Sequence, residues 1–230
     1  MRIAKYIANS GICSRRDAEK LIEKKKVFIN NICCEHPSIK VGENDNVIVN
    51  NQIIKLDHKI RLWKMYKPIK IICTNNDPQK RKDIFSLIPK KFPRLISIGR
   101  LDYMSEGLIL FTNNGDLARK YELPSSNFIR VYRVCIKGKI NSKDISSINN
   151  GIIINKIKYK KVNLKIEKHQ SPFTWLIFKM TEGKNREIRK ICEYFSWNIL
   201  KLIRIQYGSI KLSKQRPGEI IEIKNFKFDI

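Results

Sequence analysis

The chain is short of histidine: His36, His58 and His169 are all it has in 230 residues, and their contexts differ. No G-x-S-x-G elbow accompanies them, so a Ser-His-Asp or Cys-His hydrolase has little support. The six cysteines form no C-x-x-C pair, which removes the usual zinc signature and predicts no metal site. Cys33 and Cys34 would point to opposite faces of a strand, and reduced thiols of a cytoplasmic protein are the simple reading. Carboxylates are scarce, 21 against 47 basic side chains, and no D-x-D or E-x-x-D cluster could hold divalent ions for a nuclease. Gly-rich phosphate-cradling loops are missing. No apolar run reaches the length of a membrane span, and the opening MRIAKYIANSG lacks the apolar core of a signal peptide. Residue 2 is Arg, which excludes a myristoylation start. The expectation is a cytoplasmic protein with no membrane partner.

What is abundant is positive charge. The formal net charge is +26 and the pI near 10.0, which points to a phosphate polymer as partner. The chain is also rich in Lys, Ile and Asn, so placed arginines weigh more than the lysine total. Residues 1–58 read as a small unit. Ile3, Tyr6 and Ile7 have helical spacing ended by Gly11. Ser14 caps a second helix with Asp17 three positions on, and Ala18, Leu21 and Ile22 form its apolar face. Asn30-Asn31 suits a tight hairpin between Val27–Ile29 and Ile32–Cys34, with a further strand at Val47–Val49. HKIRLW marks the junction to a second unit, residues 59–230. There, a polar loop at 75–83 precedes strand-like runs at 95–98, 108–111, 131–136, 152–154, 162–166 and 175–180. Asp116 is the expected cap of one helix, and residues 186–195 read as another. The fold class is α+β, with a mixed, largely antiparallel sheet.

Several side chains invite two readings. Lys5, Arg15, Arg16, Lys20 and Lys24 could dock on a phosphate backbone or be an ordinary solvated face. Arg204 and Lys201 are phosphate contacts or surface charges. Asp102 stands beside Arg100, just ahead of the apolar run Leu108–Phe111. Nearby arginine favours the charged form of a carboxylate, and a carboxylate can act as nucleophile or base without a metal. Taken alone, an Arg-Asp pair more often closes a loop. Tyr132 alone is more often a core residue, and Arg189, near Arg186 and Lys190, a solvated cation. Glu106 reads as a loop-bracing acceptor and Glu187 as an ion-pair partner on a helix face.

The wider motifs add a resemblance to these alternatives. GICSRRDAEKLIEKKKVFINN resembles the small α-L RNA-binding domain first known from a small-subunit ribosomal protein. It departs from that family at Lys25-Lys26 and Asn31, where glycines are usual. GRLDYMSEGLILFTNNGDLA resembles the catalytic motif of RNA pseudouridine synthases, in the branch that acts on ribosomal RNA behind an α-L domain. IRVYRVCIKG and EGKNREIRKICEYFSWNILKLIRIQYGSIKL are similar to that family's second and third motifs. Lys67-Pro68 matches its opening strand, with Lys70 where glycine is usual. The resemblance implies an isomerase that turns uridine into pseudouridine, with Asp102 attacking or deprotonating near C1′ of the ribose. It implies that Arg189 aims Asp102, that Tyr132 stacks on the base, and that Arg100 fills the gap left by the extruded uridine. No electron and no phosphate is transferred, so no cofactor is expected. The partner implied is ribosomal RNA or an assembly intermediate. NREIRK followed by LIRIQYG favours the large subunit; a small-subunit enzyme and a non-catalytic assembly factor are the alternatives, the latter disfavoured by a retained Asp102. A DNA-binding regulator would need a recognition helix that is not apparent. A chain without a heptad seam is expected to be a monomer.

Overall fold

The protein is described from a computed structural model, covering residues 1–57, 59–74, 77–224 and 226. His58 at the expected junction, and Asn75 and Asn76 at the start of the expected polar loop, lie outside the described residues.

Helix α1, Ile3–Asn9, buries Ile3, Tyr6 and Ile7 and ends before Gly11 at φ 88°. Helix α2, Arg15–Glu23, begins at Ser14, whose Oγ accepts the Asp17 N–H at 3.1 Å and donates to the Asp17 carboxylate at 2.6 Å. Strands β1 (Val27–Ile29) and β2 (Ile32–Cys33) form the expected hairpin, with Asn30 and Asn31 at φ 50° and 68°. Strands β3 (Val47–Val49) and β4 (Gln52–Ile54) repeat the device through Asn50-Asn51. The order β2-β1-β3-β4 gives a four-stranded sheet. Its inner face meets α1 and α2 in a core of Ile7, Ala18, Ile22, Val27 and Val47.

The larger part follows with β5 (Leu62–Lys67), β6 (Ile96–Ile98), β7 (Glu106–Thr112), α3 (Gly115–Glu122) and β8 (Arg130–Lys137). Then come α4 (Ser142–Asn150), β9 (Ile152–Ile154), β10 (Ile157–Tyr159), β11 (Asn163–Gln170) and β12 (Phe173–Met180). Helix α5 (Glu187–Tyr194) and strands β13 (Asn198–Tyr207), β14 (Ile210–Lys211) and β15 (Ile220–Glu222) complete it. The cap of α3 is Asn114, not the expected Asp116: the Asn114 Oδ1 accepts the N–H groups of Asp116 and Leu117. Helix α4, capped by Asn141, and the long strand β13 were not anticipated. Charged and polar residues interrupt the apolar pattern of both.

The main sheet runs β11-β12-β8-β13-β7-β5-β15, with β6 and β14 added at β7 and β13. Its strand pairs are antiparallel except β13 with β7, which is parallel and registers Ile203 with Glu106 and Arg204 with Gly107. Two antiparallel halves therefore meet at one parallel seam. Gly107, at φ 102°, makes that seam possible. A Cβ there would lie 2.4 Å from the Arg204 carbonyl oxygen and 2.8 Å from its nitrogen. Helices α4 and α5 cover one face through Val134, Ile136, Ile148, Leu176, Phe178 and Ile191. Helix α3 covers the other face beside β7 through Leu108, Leu110 and Leu117.

Candidate active site

One transverse row of the sheet positions the site. Lys67 of β5 pairs with Gly107, Gly107 with Arg204, and Arg204 with Tyr132. Cross-strand partners share a face, so these side chains line the floor of one region. Above it lies a cavity of about 400 Å³ whose wall includes Arg100, Asp102, Tyr132 and Arg189. The four site residues expected from the sequence are thus brought together.

Asp102 sits in a turn between β6 and β7 that is held from every side. The Ser105 N–H donates to the Asp102 carbonyl at 3.0 Å, closing the turn. The Lys67 Nζ donates to the carbonyls of Pro68 at 2.9 Å, Asp102 at 3.2 Å and Ser105 at 2.8 Å. The Lys70 N–H donates to the Tyr103 carbonyl at 2.7 Å, and the Arg189 Nη2 to the Met104 carbonyl at 2.9 Å. All four turn carbonyls therefore have fixed donors, from two segments distant in sequence, residues 67–70 and α5. The left-handed Lys70, at φ 60°, aims its N–H at the turn, so a glycine there would be the unstrained choice.

Arg189, on α5, reaches the same turn. Besides Met104, its Nη2 donates to the Ser105 Oγ at 3.0 Å, while its Nε stands 3.5 Å from the Asp102 Oδ2. That Nε is buried without a hydrogen-bond partner. The contact is an ion pair, and the guanidinium fixes both the carboxylate and the backbone that carries it. The Asp102 side chain keeps 34 % exposure. Tyr132 is half-buried, with its ring against the apolar cluster below α5. Arg100 is exposed at the cavity rim.

Two buried cations lie beneath. Burial pushes the Lys67 ammonium down to about 8, against the pull of Asp102 and Glu106. Sequence reasoning assigned Lys67 no role; the signal was its strand match, but its partners stand 35 and 38 residues away. Arg204, expected to contact RNA phosphate, is corrected: it is 2 % exposed and its Nε donates to the Leu108 carbonyl at 2.7 Å. It faces inward because its strand alternates Leu202, Arg204 toward the core. Glu187 is likewise not an exposed ion-pair partner. It is 4 % exposed, its Oε2 accepts the Lys184 N–H at 2.8 Å, and burial raises its carboxyl to about 7. Glu106 braces a neighbouring strand and not a loop: it accepts the Tyr66 hydroxyl of β5 at 2.8 Å. Among the described residues no group of three or more His, Cys, Asp or Glu side chains is placed to hold a metal ion.

The front cations divide. Lys5 pairs with Asp116 at 2.6 Å and Arg15 lies 3.9 Å from the same carboxylate, so both face α3. Arg16, Lys20 and Lys24 stay exposed. No helix among the described residues is long and apolar enough to cross a membrane.

Residues 61–194 match the RNA pseudouridylate synthase family, and residues 1–47 match the S4 domain. An uncharacterized RNA pseudouridine synthase of Rickettsia conorii is 46 % identical over 97 % of this chain and 96 % of its own length. A ribosomal large subunit pseudouridine synthase B of Salmonella typhi is 30 % identical over 94 % of this chain and 76 % of its own. A crystal structure of pseudouridylate synthase superimposes with a TM-score of 0.69 at 21 % identity, covering 97 % of this chain and 96 % of that one, a likeness of fold. A turn aspartate gripped by an arginine, inside a cavity behind a basic front unit, thus has its family: the chain belongs to the RNA pseudouridine synthases and carries an S4 domain ahead of the catalytic one.

Proposed function

We propose that this enzyme converts a uridine of large-subunit ribosomal RNA to pseudouridine with Asp102 and no cofactor. The observation that carries the reading is the Asp102 carboxylate in the cavity, 3.5 Å from the Arg189 Nε and sharing that cavity with Tyr132. The uridine leaves its stack to reach Asp102, and Arg100 at the rim fills the space it vacates. The C1′–N1 bond breaks with help from the carboxylate at C1′. The freed uracil turns, C5 bonds to C1′, the C5 proton leaves, and N1 gains a proton. Tyr132 offers its ring to the turning base, and Arg189 holds the carboxylate in line. Large-subunit RNA is favoured because relatives that cover nearly the whole chain bear that name. The reading carries with it a monomer at work in the cytoplasm during ribosome assembly. It also takes residues 1–58 as the RNA-gripping unit and 59–230 as the catalytic one.

Tritium release from ribosomal RNA labelled at uridine C5 tests it. Wild type should release tritium from large-subunit RNA, while Asp102→Asn should lose at least roughly a thousandfold in rate, about 4 kcal/mol of barrier, and keep RNA binding. Equal release by both proteins would overturn the role of Asp102. Release from small-subunit RNA alone would overturn the choice of substrate.

A further inference from the structure

The sheet face turned away from Asp102 has an uncovered half. On β12, Thr174, Leu176, Phe178 and Met180 are buried on the α4 and α5 side, so Phe173, Trp175, Ile177 and Lys179 stand on the reverse. Arg133 of β8 pairs with Ile177 and shares that side. So do Lys165 and Lys168 of β11, paired with Ile177 and Trp175, and Lys201 of β13, paired with Cys135, itself opposite Trp175. Helix α3 covers the reverse near β7, and among the described residues no helix packs over β8, β11 and β12 there.

The chemistry of this face is specific. The Arg133 guanidinium lies 4.2 Å from the centroid of the Trp175 ring, and its Nε donates to the Glu167 Oε2 at 2.6 Å. A guanidinium is thus held over an indole and braced by a carboxylate. Glu167 is the one carboxylate in strands β8, β11, β12 and β13. The exposed lysines around it therefore carry an unbalanced positive charge. A layered guanidinium and indole is a surface on which a base stacks, and flanking lysines take phosphates. An acidic protein would satisfy the lysines but not use the stack.

We propose that this face is a second RNA contact. A single-stranded segment of the substrate stacks its bases on Arg133 and Trp175 and lays its phosphates against Lys165, Lys168 and Lys201. The inference rests on the family's action on RNA and is independent of the role of Asp102. It gives the enzyme a grip on RNA on both sides of its sheet.

Tryptophan emission reads the face directly. Trp63 and Trp197 are 0 % and 8 % exposed, which leaves Trp175 as the indole that an outside base can reach. The full chain is titrated with an oligouridylate of about 12 nucleotides, with anisotropy of the labelled RNA measured in parallel. Emission should fall as RNA binds, and Trp175→Phe should abolish the fall. Lys165→Glu combined with Lys201→Glu, both at exposed positions, should weaken binding by roughly tenfold near 0.1 M salt and reduce the slope of log K against log salt by about 1.4. Thermal melts of the variants confirm folding. Bound RNA with unchanged emission, or an equal fall produced by inorganic polyphosphate, which has no bases, would overturn the proposal. Uridine conversion is followed separately: a fall in emission with Asp102→Asn and no conversion supports this surface, whereas conversion without a fall in emission overturns it alone.

Discussion

At the scale of single residues, the site is a problem of aiming. The proposed role of Asp102 needs a turn that does not move, and Lys67 supplies two of the bonds that hold it. Lys67→Met preserves bulk but takes the Lys67 donor from the Pro68 and Ser105 carbonyls. It should cost roughly 2–4 kcal/mol of stability and lower kcat more than RNA affinity, as turnover and binding measured side by side would show. Glu187 offers a pH test. Its carboxyl rises from an ordinary 4.5 to about 7 because it is buried. Between those values the folded state holds a proton that the unfolded state has released. The protein is therefore most stable with the group protonated in both states and loses up to roughly 3 kcal/mol as pH rises through about 7. Glu187→Gln keeps an oxygen for the Lys184 N–H and should flatten that loss, seen as Tm compared at about pH 5 and about pH 8. That Asp102, Tyr132 and Arg189 would meet in one cavity was legible because each stands in a motif of recognisable order. Lys67, Arg204 and Glu187 were not, since a charged side chain reads as exposed until its distant partners are known.

At the scale of elements, the seam between β7 and β13 decides whether the site exists. Gly107 admits the Arg204 backbone where any side chain would collide. Gly107→Ala must push the strands apart or twist them, and should cost roughly 3 kcal/mol or more, with Tm and activity falling together in a thermal melt and a tritium-release assay. The front hairpin was legible from Asn30-Asn31, whose left-handed geometry needs only local chemistry. Strand β13 was hidden because Lys201, Arg204 and Gln206 break its apolar pattern, and a bulge between Arg204 and Gln206 shifts its alternation. The cap of α3 went to Asn114 and not Asp116 because the helix starts two residues earlier than its acidic signal suggests.

At the scale of the whole molecule, positive charge is divided between ties within the chain and an exposed face. Lys5 and Arg15 face Asp116 at the start of α3 and tie the front unit to the catalytic one. Exposed pairs of this kind contribute at most about 1 kcal/mol, so the tie orients more than it stabilises. Arg16, Lys20 and Lys24 are exposed, with Lys20 3.8 Å from the Asp17 carboxylate, and are the cations proposed to meet phosphate. Arg16→Ala with Lys20→Ala should reduce the salt slope of RNA binding by about 1.4 and leave kcat at saturating RNA unchanged. An unaltered slope would move the docking face elsewhere.

The parallel seam has one more consequence. Asp102 and Lys67 belong to the half of the chain before it, Tyr132 and Arg189 to the half after it. A polypeptide truncated ahead of α5 would keep the Lys67 and Lys70 bonds to the turn but lack the guanidinium that faces the Asp102 carboxylate. Ribosomes release a nascent chain from its amino end, so the pairing of Asp102 with Arg189 forms late, once α5 is made and β13 can enter between β8 and β7.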